Sequence, residues 1–410
     1  MTIYRELGVR PVINAKGPAT RLSGGPMRPE VAAAMVEASQ HCVDMAELQA
    51  AASQEISRLT GAEAGYVASG AAACLLLGTA ACMAGLDPGR MSRLPDGRGM
   101  KTEVIMVRSQ RNFYDHAVRA AGATIVEVGL PDRYAGAGVR DAEAWEIADA
   151  ITSRTAAIFY VADIQSQPPL PVVTRLAKKH GIPVIVDAAA QLPPQSNLKR
   201  FVADGADLVA FSGGKAIGGP QASGVLCGRR DLIMSAALQH LDLDIYADMW
   251  APPRSLIDRR KLKGIPPHGI GRTCKAGKEE IVGLLTALRL FVAEGDASRH
   301  ARWLALIGDV VAGLGKVKQA EVTIIGGRQR TAVPMLQLAF HLPSSAAEMA
   351  RKLSRGRPAI HVDAAQRDKG HLVINPMCLR PEDVAILVRG LRQALTDSSS
   401  TRRPVRNNLA

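Results

Sequence analysis

The sequence has few aromatic residues: phenylalanine, tyrosine and tryptophan make up 4% of 410 residues. Proteins that bind single-stranded nucleic acids stack bases on aromatic side chains, so this scarcity argues against such a function despite a formal net charge of +13. We interpret the charge as an attraction for an anionic cofactor and substrate, and we expect no nucleic-acid partner. The basic residues are scattered, apart from three clusters at Arg254–Lys263, Arg351–Arg357 and Arg402–Arg406.

Cysteine is also scarce, and its spacing excludes two kinds of site. The six cysteines form no Cys-x-x-Cys pair and no group with histidine at metal-ligand spacing, so we expect neither a disulfide framework nor a metal. The N-terminus lacks the apolar core of a signal peptide. No apolar run reaches the about 20 residues that span a membrane. These absences predict a cytoplasmic protein without a membrane partner.

The patterns that are present predict an α/β protein with a mostly parallel, seven-stranded sheet and a smaller α+β domain. Short β-branched segments alternate with helical patterns up to about residue 285, which is typical of βα units. Predicted strands in this part are Val104–Val107, Ile125–Val128, Ala156–Val161, Val184–Val186, Leu208–Phe211 and Gly224–Leu226. We expect an N-terminal arm (1–45), a large domain (46–285), a small domain (286–396) and a disordered tail (397–410).

The clearest chemical signal is a lysine in a glycine-rich turn. Lys215 follows the predicted strand 208–211 through Ser-Gly-Gly, and another apolar segment begins at Gly224. A flexible connection with a solvated lysine would explain the glycines, but not a single lysine between two apolar strands. The phosphate-loop pattern GxxxxGK[ST] is absent. Partial desolvation lowers the pKa of a lysine and leaves a neutral amine for imine formation.

A second signal is an acid at the end of an apolar strand. Asp187 follows Val184–Val186 and precedes three alanines, which leave room for a bulky group. The acid could simply cap the next helix. In an enzyme that uses pyridoxal 5′-phosphate (PLP), such an acid holds the pyridine nitrogen protonated and keeps the ring an electron sink. Asp187 and Lys215 would lie at the same edge of the sheet, where α/β proteins bind ligands.

A third signal is the turn Ser69-Gly70-Ala71, which leads from a strand into a helix of small residues. The exposed N–H groups and the dipole of a helix start favour a phosphate. Plain N-capping by Ser69 is the alternative. The order of phosphate turn, acid and lysine is much harder to obtain by chance than any one of the three.

Together these motifs resemble the fold-type I PLP superfamily, in the branch that includes bacterial selenocysteine synthase and D-glucosaminate-6-phosphate ammonia-lyase. The resemblance implies Lys215 as the Schiff-base lysine and Asp187 at the pyridine nitrogen. It also implies Ser69, Gly70, Ala71 and Ser212 around the phosphate. The similar stretches are 9–25, 67–78, 111–128, 181–194, 206–224 and 268–285, of which the SGGK block is the most specific.

Two positions depart from the pattern of this branch. Gln110 stands before Arg111-Asn112, where a histidine is expected to cover the cofactor ring. Glutamine can lie on a ring but cannot shuttle protons. Gly17-Pro18 replaces the usual Gly-Thr. Both departures bear on the reaction rather than on the cofactor.

A basic loop before the predicted helix 277–294 supplies further candidates. Cations at a helix start oppose its dipole, so Arg272 and Lys275 suggest an anion, either the cofactor phosphate or a substrate group. His268 is a candidate proton shuttle, and a structural histidine is the alternative. The resemblance places this loop near a neighbouring subunit, so we expect a homodimer or a larger homo-oligomer. Asn14, Thr20 and Arg21 are weaker candidates.

The resulting expectation is a PLP-dependent lyase that acts on a hydroxylated, possibly sugar-derived, amino acid. Lys215 would remove the α-proton, the β-hydroxyl would leave, and hydrolysis would release ammonia and a 2-oxo acid. Racemisation and aldol cleavage share the first steps and stay open. Selenium transfer to seryl-tRNA is a weaker alternative, because the family core begins at Val9–Asn14 without a separate tRNA-binding domain before it.

Overall fold

The computed structural model describes residues 3–130 and 141–397, in which it distinguishes two compact units. One unit is Met27–Ala293, and the other joins the residues up to Pro26 with those from Glu294 onward. The boundaries expected from the sequence, after residues 45 and 285, stay a prediction. The tail expected to be disordered lies outside the described residues, apart from Asp397. No helix in the described ranges has the length and apolarity needed to cross a membrane.

The strands and helices follow the predicted alternation. The strands are β1 (Val12–Ala15), β2 (Ala64–Ala68), β3 (Glu103–Val107), β4 (Thr124–Val128), β5 (Thr155–Val161), β6 (Val184–Asp187), β7 (Leu208–Ser212), β8 (Gly224–Gly228), β9 (Ala320–Ile325), β10 (Met335–Phe340), β11 (Ala359–Val362) and β12 (His371–Ile374). The helices are α1 (Ile3–Glu6), α2 (Pro29–Ser39), α3 (Met45–Thr60), α4 (Ala71–Ala84), α5 (Pro88–Arg93), α6 (His116–Ala120), α7 (Ala144–Asp149), α8 (Leu170–Lys179), α9 (Asn197–Ala203), α10 (Arg230–His240), α11 (Lys278–Leu314), α12 (Pro343–Arg355) and α13 (Pro381–Asp397).

Local chemistry explains where several helices begin and end. Asp44 caps α3 by accepting hydrogen bonds from the N–H groups of Ala46 and Glu47, and Gly61 ends it in a left-handed conformation. Gly295, with φ 71° and ψ 165°, interrupts α11. α6 begins only at His116, because the Asn112 side chain caps a short 3₁₀ turn at Phe113–Asp115 by accepting from the Tyr114 N–H.

The large unit contains a seven-stranded sheet in the order β2-β8-β7-β6-β5-β3-β4. Every neighbouring pair is parallel except those of β8, which is antiparallel to both β2 and β7. Since two reversals restore the direction, β2 runs parallel to β7. The carboxyl ends of all strands but β8 therefore meet at one edge of the sheet, where β8 begins.

This sheet is buried on both faces, as its continuous apolar strands require. On β6, Ile185 packs into the cluster that contains α4 and α10, whereas Val184 and Val186 pack into the cluster that contains α3 and α8. Successive side chains of one strand thus serve opposite faces. Helices cover the two faces, so the edge at the carboxyl ends is left for ligands.

The smaller unit is α+β. It contains an antiparallel three-stranded sheet, β12-β10-β9, and a parallel pair of β1 with β11. Leu336 and Leu338 of β10 pack with Leu387 and Leu391 of α13 in one hydrophobic core. The N-terminal strand β1 is held in this unit through β11, although the two are far apart in the sequence.

Candidate active site

Asp187 lies at the carboxyl end of β6, the central strand of the large sheet. Its side chain is buried, with 8% of the residue exposed, and one carboxylate oxygen accepts a hydrogen bond from the Ala189 N–H at 3.0 Å. The adjacent strand β7 pairs Ala210 with Asp187 and continues to Ser212. Lys215 follows three residues later, so the acid and the lysine lie side by side at the sheet edge.

The turn that carries Lys215 is tightly closed rather than a flexible connection. The Gly213 N–H donates to the Ser223 carbonyl at 2.9 Å, and the Gly218 N–H donates to the Lys215 carbonyl at 2.9 Å. A methyl group on Gly214 would lie 2.7 Å from the Gln221 Cα. The glycines are therefore required by close backbone approach, which holds the half-buried lysine in place.

Burial shifts the pKa values of Asp187 and Lys215 in opposite directions, and the attraction between the two charges acts against both shifts. Burial raises the pKa of Asp187, while the Ala189 N–H and the charge of Lys215 act against that rise. Burial lowers the pKa of Lys215, and Asp187 acts against that fall. The environment thus makes a neutral lysine amine more accessible and leaves the buried acid in need of a cationic partner.

The expected phosphate turn lies at the carboxyl end of β2. Gly70, not Ser69, is the N-cap of α4, and no side chain caps this helix. The simple capping role of Ser69 is therefore wrong, and the N–H groups of the first turn are left for a ligand. β8 passes very close by, because a methyl group on Gly224 would lie 2.4 Å from the Gly70 carbonyl carbon.

A buried chain of hydrogen bonds, which the sequence did not reveal, ties this turn to the basic loop. The Cys274 carbonyl accepts from the Ser69 N–H at 3.2 Å and lies 2.9 Å from Nε2 of His240. Nδ1 of His240 lies 2.8 Å from the Tyr66 hydroxyl. A carbonyl only accepts, so Nε2 carries the hydrogen and Nδ1 accepts from Tyr66. Burial lowers the pKa of His240 to about 4, which keeps the ring neutral.

The predicted residues of the basic loop differ in their contacts with the rest of the unit. Arg272 donates to the His240 carbonyl at 2.9 Å and pairs with Asp242 at 3.0 Å. Lys275 is exposed and forms no ion pair with any described residue, and it adjoins Cys274 next to the phosphate turn. His268 is exposed, and no contact ties it to Asp187 or Lys215. Its catalytic role stays a prediction.

Gln110 is buried and its amide is already engaged. Its oxygen accepts from the Val161 N–H at 2.9 Å, and its nitrogen donates to the Gln167 carbonyl at 3.5 Å. The side chain thus links the ends of β3 and β5. Ser212 ends β7 half-buried, opposite Gly224, and its hydroxyl has no hydrogen-bond partner among the described residues.

The three weaker candidates, Asn14, Thr20 and Arg21, lie in the other unit. The amide of Asn14 donates to the carbonyls of Gly17 and Gly24, at 3.1 and 2.7 Å, and so holds a turn of the N-terminal arm. Thr20 and Arg21 belong to a short 3₁₀ turn. Among the described residues no group of three or more acidic, histidine or cysteine side chains has metal-site geometry.

These residues fit PLP. The uncapped start of α4 suits its phosphate, the buried carboxylate of Asp187 suits a protonated ring nitrogen, and the desolvated amine of Lys215 suits imine formation. All three lie at the carboxyl edge of one sheet, although Ser69 and Lys215 are far apart in the chain.

Comparison with known proteins agrees with this geometry. The family model described as L-seryl-tRNA selenium transferase matches residues 31–248. The 5′-C-glycyluridine monooxygenase-decarboxylase of Streptomyces sp is 32% identical over 407 residues, covering 96% of this chain and 92% of the relative. The D-glucosaminate-6-phosphate ammonia lyase of Salmonella typhimurium is 29% identical, covering 95% and 97%.

Solved structures confirm the fold class. The structure of D-glucosaminate-6-phosphate ammonia-lyase aligns with a TM-score of 0.78 at 27% identity, covering 97% of this chain and 99% of that one. A serine palmitoyltransferase from S. paucimobilis with bound PLP–myriocin aligns over 94% of this chain and 88% of its own, with a TM-score of 0.54 at 14% identity. The second likeness concerns the fold alone. Fold type I and the resemblance inferred from the motifs are confirmed.

Substituting Gly224 tests the phosphate turn. In Gly224→Ala the new methyl group would collide with the Gly70 backbone and displace the start of α4, so we expect PLP affinity to fall about tenfold or more. Fluorescence titration with PLP measures this. The control is Gly264→Ala, whose methyl group would meet only a Pro88 side-chain carbon at 3.7 Å. Equal PLP affinity in the two variants, both folded by circular dichroism, would contradict the assignment.

Proposed function

Since the chain belongs to the family described as L-seryl-tRNA selenium transferase, we propose that it is a PLP-dependent lyase that releases ammonia from a hydroxylated, sugar-derived amino acid. The observation that carries the proposal is the placement of Asp187 and Lys215 on neighbouring strands, beside the uncapped start of α4. The relative named as an ammonia lyase supports the reaction and the kind of substrate, because it is similar along nearly the whole chain.

PLP supplies an electron sink that acidifies the Cα–H bond of a bound amino acid. The residues of this chain supply the rest. Asp187 would keep the ring nitrogen protonated, and the N–H groups of the first turn of α4 would hold the phosphate. The Lys215 amine would hold the cofactor and, when the substrate is bound, would accept the proton from Cα. The β-hydroxyl leaves with a proton as water, and hydrolysis of the resulting enamine gives ammonia and a 2-oxo acid.

Decarboxylation of an amino acid is a second candidate, and Gln110 is the observation that favours it. Loss of a hydroxyl needs an acid that protonates the leaving oxygen, whereas loss of CO₂ does not. An amide offers no transferable proton, and the Gln110 oxygen is occupied by the Val161 N–H. The Streptomyces relative, which shares 32% of the residues over most of the chain, is named as a monooxygenase-decarboxylase.

A substrate panel separates these reactions. PLP-loaded protein is incubated with D- and L-hydroxyamino acids, including D-glucosaminate 6-phosphate, and ammonia, 2-oxo acid and CO₂ are measured together. We expect equal amounts of ammonia and 2-oxo acid from one or a few substrates, and none from Lys215→Ala. CO₂ release without a 2-oxo acid would favour decarboxylation, and inversion of the substrate without either product would indicate racemisation.

Replacing Asp187 tests its role at the ring nitrogen. Asp187→Asn should retain PLP but lower kcat about 10- to 100-fold, because an amide holds the ring nitrogen protonated less well than a carboxylate does. The matched control is Asp163→Asn. Asp163 follows the neighbouring β5, is exposed, and accepts the N–H two residues on, at Gln165, just as Asp187 accepts that of Ala189. Wild-type turnover in Asp187→Asn would contradict a role at the ring nitrogen and would mean that Asp187 only caps the turn.

We also propose that a second copy of the chain covers the carboxyl edge of the sheet. Phe113 and Ile164 follow the ends of β3 and β5 and are 92% and 95% exposed, which is costly for large apolar side chains in a single chain. Tyr246 and Met249 of the same unit are also exposed, at 79% and 68%. Interfaces between obligate subunits are large and apolar, and these side chains suit such a contact.

Light scattering tests this assembly. The wild-type protein should be a dimer or a larger oligomer at micromolar concentration. Phe113→Glu should shift it towards smaller species, because a carboxylate would have to be buried in an apolar contact. Leu342→Glu, which replaces a 58% exposed leucine of the other unit, serves as the control and should keep the wild-type mass. A wild-type protein that is monomeric at this concentration would contradict the proposal that a second copy covers the sheet edge.

A further inference from the structure

A cleft of about 840 Å³ lies in the smaller unit, well apart in sequence from the residues of the proposed active site. It is lined by Arg5 and residues 9–12 of the N-terminal arm and by Ser354, Gly356, Arg357, Pro358, Ala359 and His361, and we call it the chain-end cleft. The parallel pairing of β1 with β11 brings these two segments together, with Asn14 opposite His361. Its volume falls in the range of pockets that hold small molecules, about 300–1,000 Å³.

The charges in the chain-end cleft are of one sign. Arg5, Arg10 and Arg357 line it, and no aspartate or glutamate is among its described lining residues. None of the three guanidinium groups has an ion pair or a hydrogen bond within the described residues. Elsewhere in the chain, arginines such as Arg98 and Arg229 are paired with carboxylates. Three unpaired cations in one concave surface repel one another and attract an anion.

The end of a helix does not neutralise these charges. α12 ends at Arg355, just before the cleft, and a helix C-terminus carries about half a negative charge. Lys352 and Arg355 of the last turn already complement that partial charge. The partial negative charge of the helix end is therefore not left over to neutralise the three arginines of the cleft. Arg357 belongs to the basic cluster 351–357 that stands out in the sequence and has no part in the proposed active site.

The rest of the lining indicates what kind of anion fits. Val9, Pro11, Val12 and Pro358 form an apolar wall that suits the carbon body of a ligand. Half-buried His361 offers a ring without a hydrogen-bond partner among the described residues, and burial lowers its pKa, so that a neutral imidazole can bind a hydroxyl group. Arginine forks match the oxygens of a phosphate group in pairs.

We propose that the chain-end cleft binds a small phosphorylated molecule through Arg5, Arg10 and Arg357. The volume of the cleft, about 840 Å³, suits a small molecule. The described lining also contains no phenylalanine, tyrosine or tryptophan on which successive bases could stack. The proposal is tested by binding, so the test does not depend on any substrate of the enzyme.

The experiment is calorimetric titration of the PLP-loaded, desalted protein with inorganic pyrophosphate at low salt. Saturable binding is expected, and Arg10→Gln and Arg357→Gln should each raise the Kd about tenfold, because each removes one charged hydrogen-bonding group. The two variants alter different segments and replace exposed side chains, so both should fold. The matched control is Arg330→Gln, which removes an exposed, unpaired arginine of the same unit outside the cleft and should leave the Kd unchanged.

Three results would overturn the proposal. The first is absence of saturable pyrophosphate binding to the wild-type protein. The second is an equal Kd in the two cleft variants and in Arg330→Gln, which would mean that pyrophosphate senses only net charge. The third is binding of bulk tRNA that the cleft variants lose while pyrophosphate fails to bind, which would assign these arginines to nucleic acid. The absorbance of bound PLP reports separately that the active site is intact in every variant.

Discussion

The buried carboxylate of Asp187 is the constraint from which the rest of the site follows. It ends the central strand of a sheet whose faces are both covered, so burial raises its pKa and an ionised form needs a cation beside it. Lys215 provides that charge in the described chain, and its own pKa falls through burial. A ring that carries a protonated nitrogen would free the lysine for imine chemistry.

The second constraint is the reversal of β8. Because β8 is antiparallel to both neighbours, it begins at the edge where the other strands end, and Gly224 comes against the backbone of Gly70. The lysine turn and the phosphate turn are therefore held by the same short strand. The His240–Cys274 hydrogen bond braces the other side of the phosphate turn with a neutral ring. Neither β8 nor the His240–Cys274 hydrogen bond takes part in the proposed chemistry, but both hold the phosphate turn in place.

The sequence predicts the parts of this arrangement that depend on local pattern. Apolar runs ending in Asp187 and in the Ser-Gly-Gly-Lys turn predict two strands with their chemistry at one edge, and the structure places them on β6 and after β7. The contact of Tyr66 with His240 could not be read in this way, because it joins residues 174 positions apart. A tyrosine in a buried strand indicates that a polar partner exists, but not which one. The hydrogen bond from the Val161 N–H to the Gln110 amide oxygen could not be predicted either, because it depends on where β5 ends.

What distinguishes one reaction from another on this scaffold is the supply of protons. In their proposed roles, Asp187, Lys215 and the start of α4 would serve every reaction that begins by weakening a bond at Cα, so they would not select among elimination, racemisation and decarboxylation. Elimination of a hydroxyl adds the demand for an acid near the β-carbon. Gln110 cannot meet it, and His240 is neutral and committed to Cys274 and Tyr66. If elimination is the reaction, the candidates for the acid are the Lys215 ammonium, charged by the α-proton it has just taken, His268, and a group on the substrate itself. A phosphorylated substrate would carry such a group, because the second pKa of a phosphate monoester is about 6, and this supports the proposal of a phosphorylated, sugar-derived amino acid.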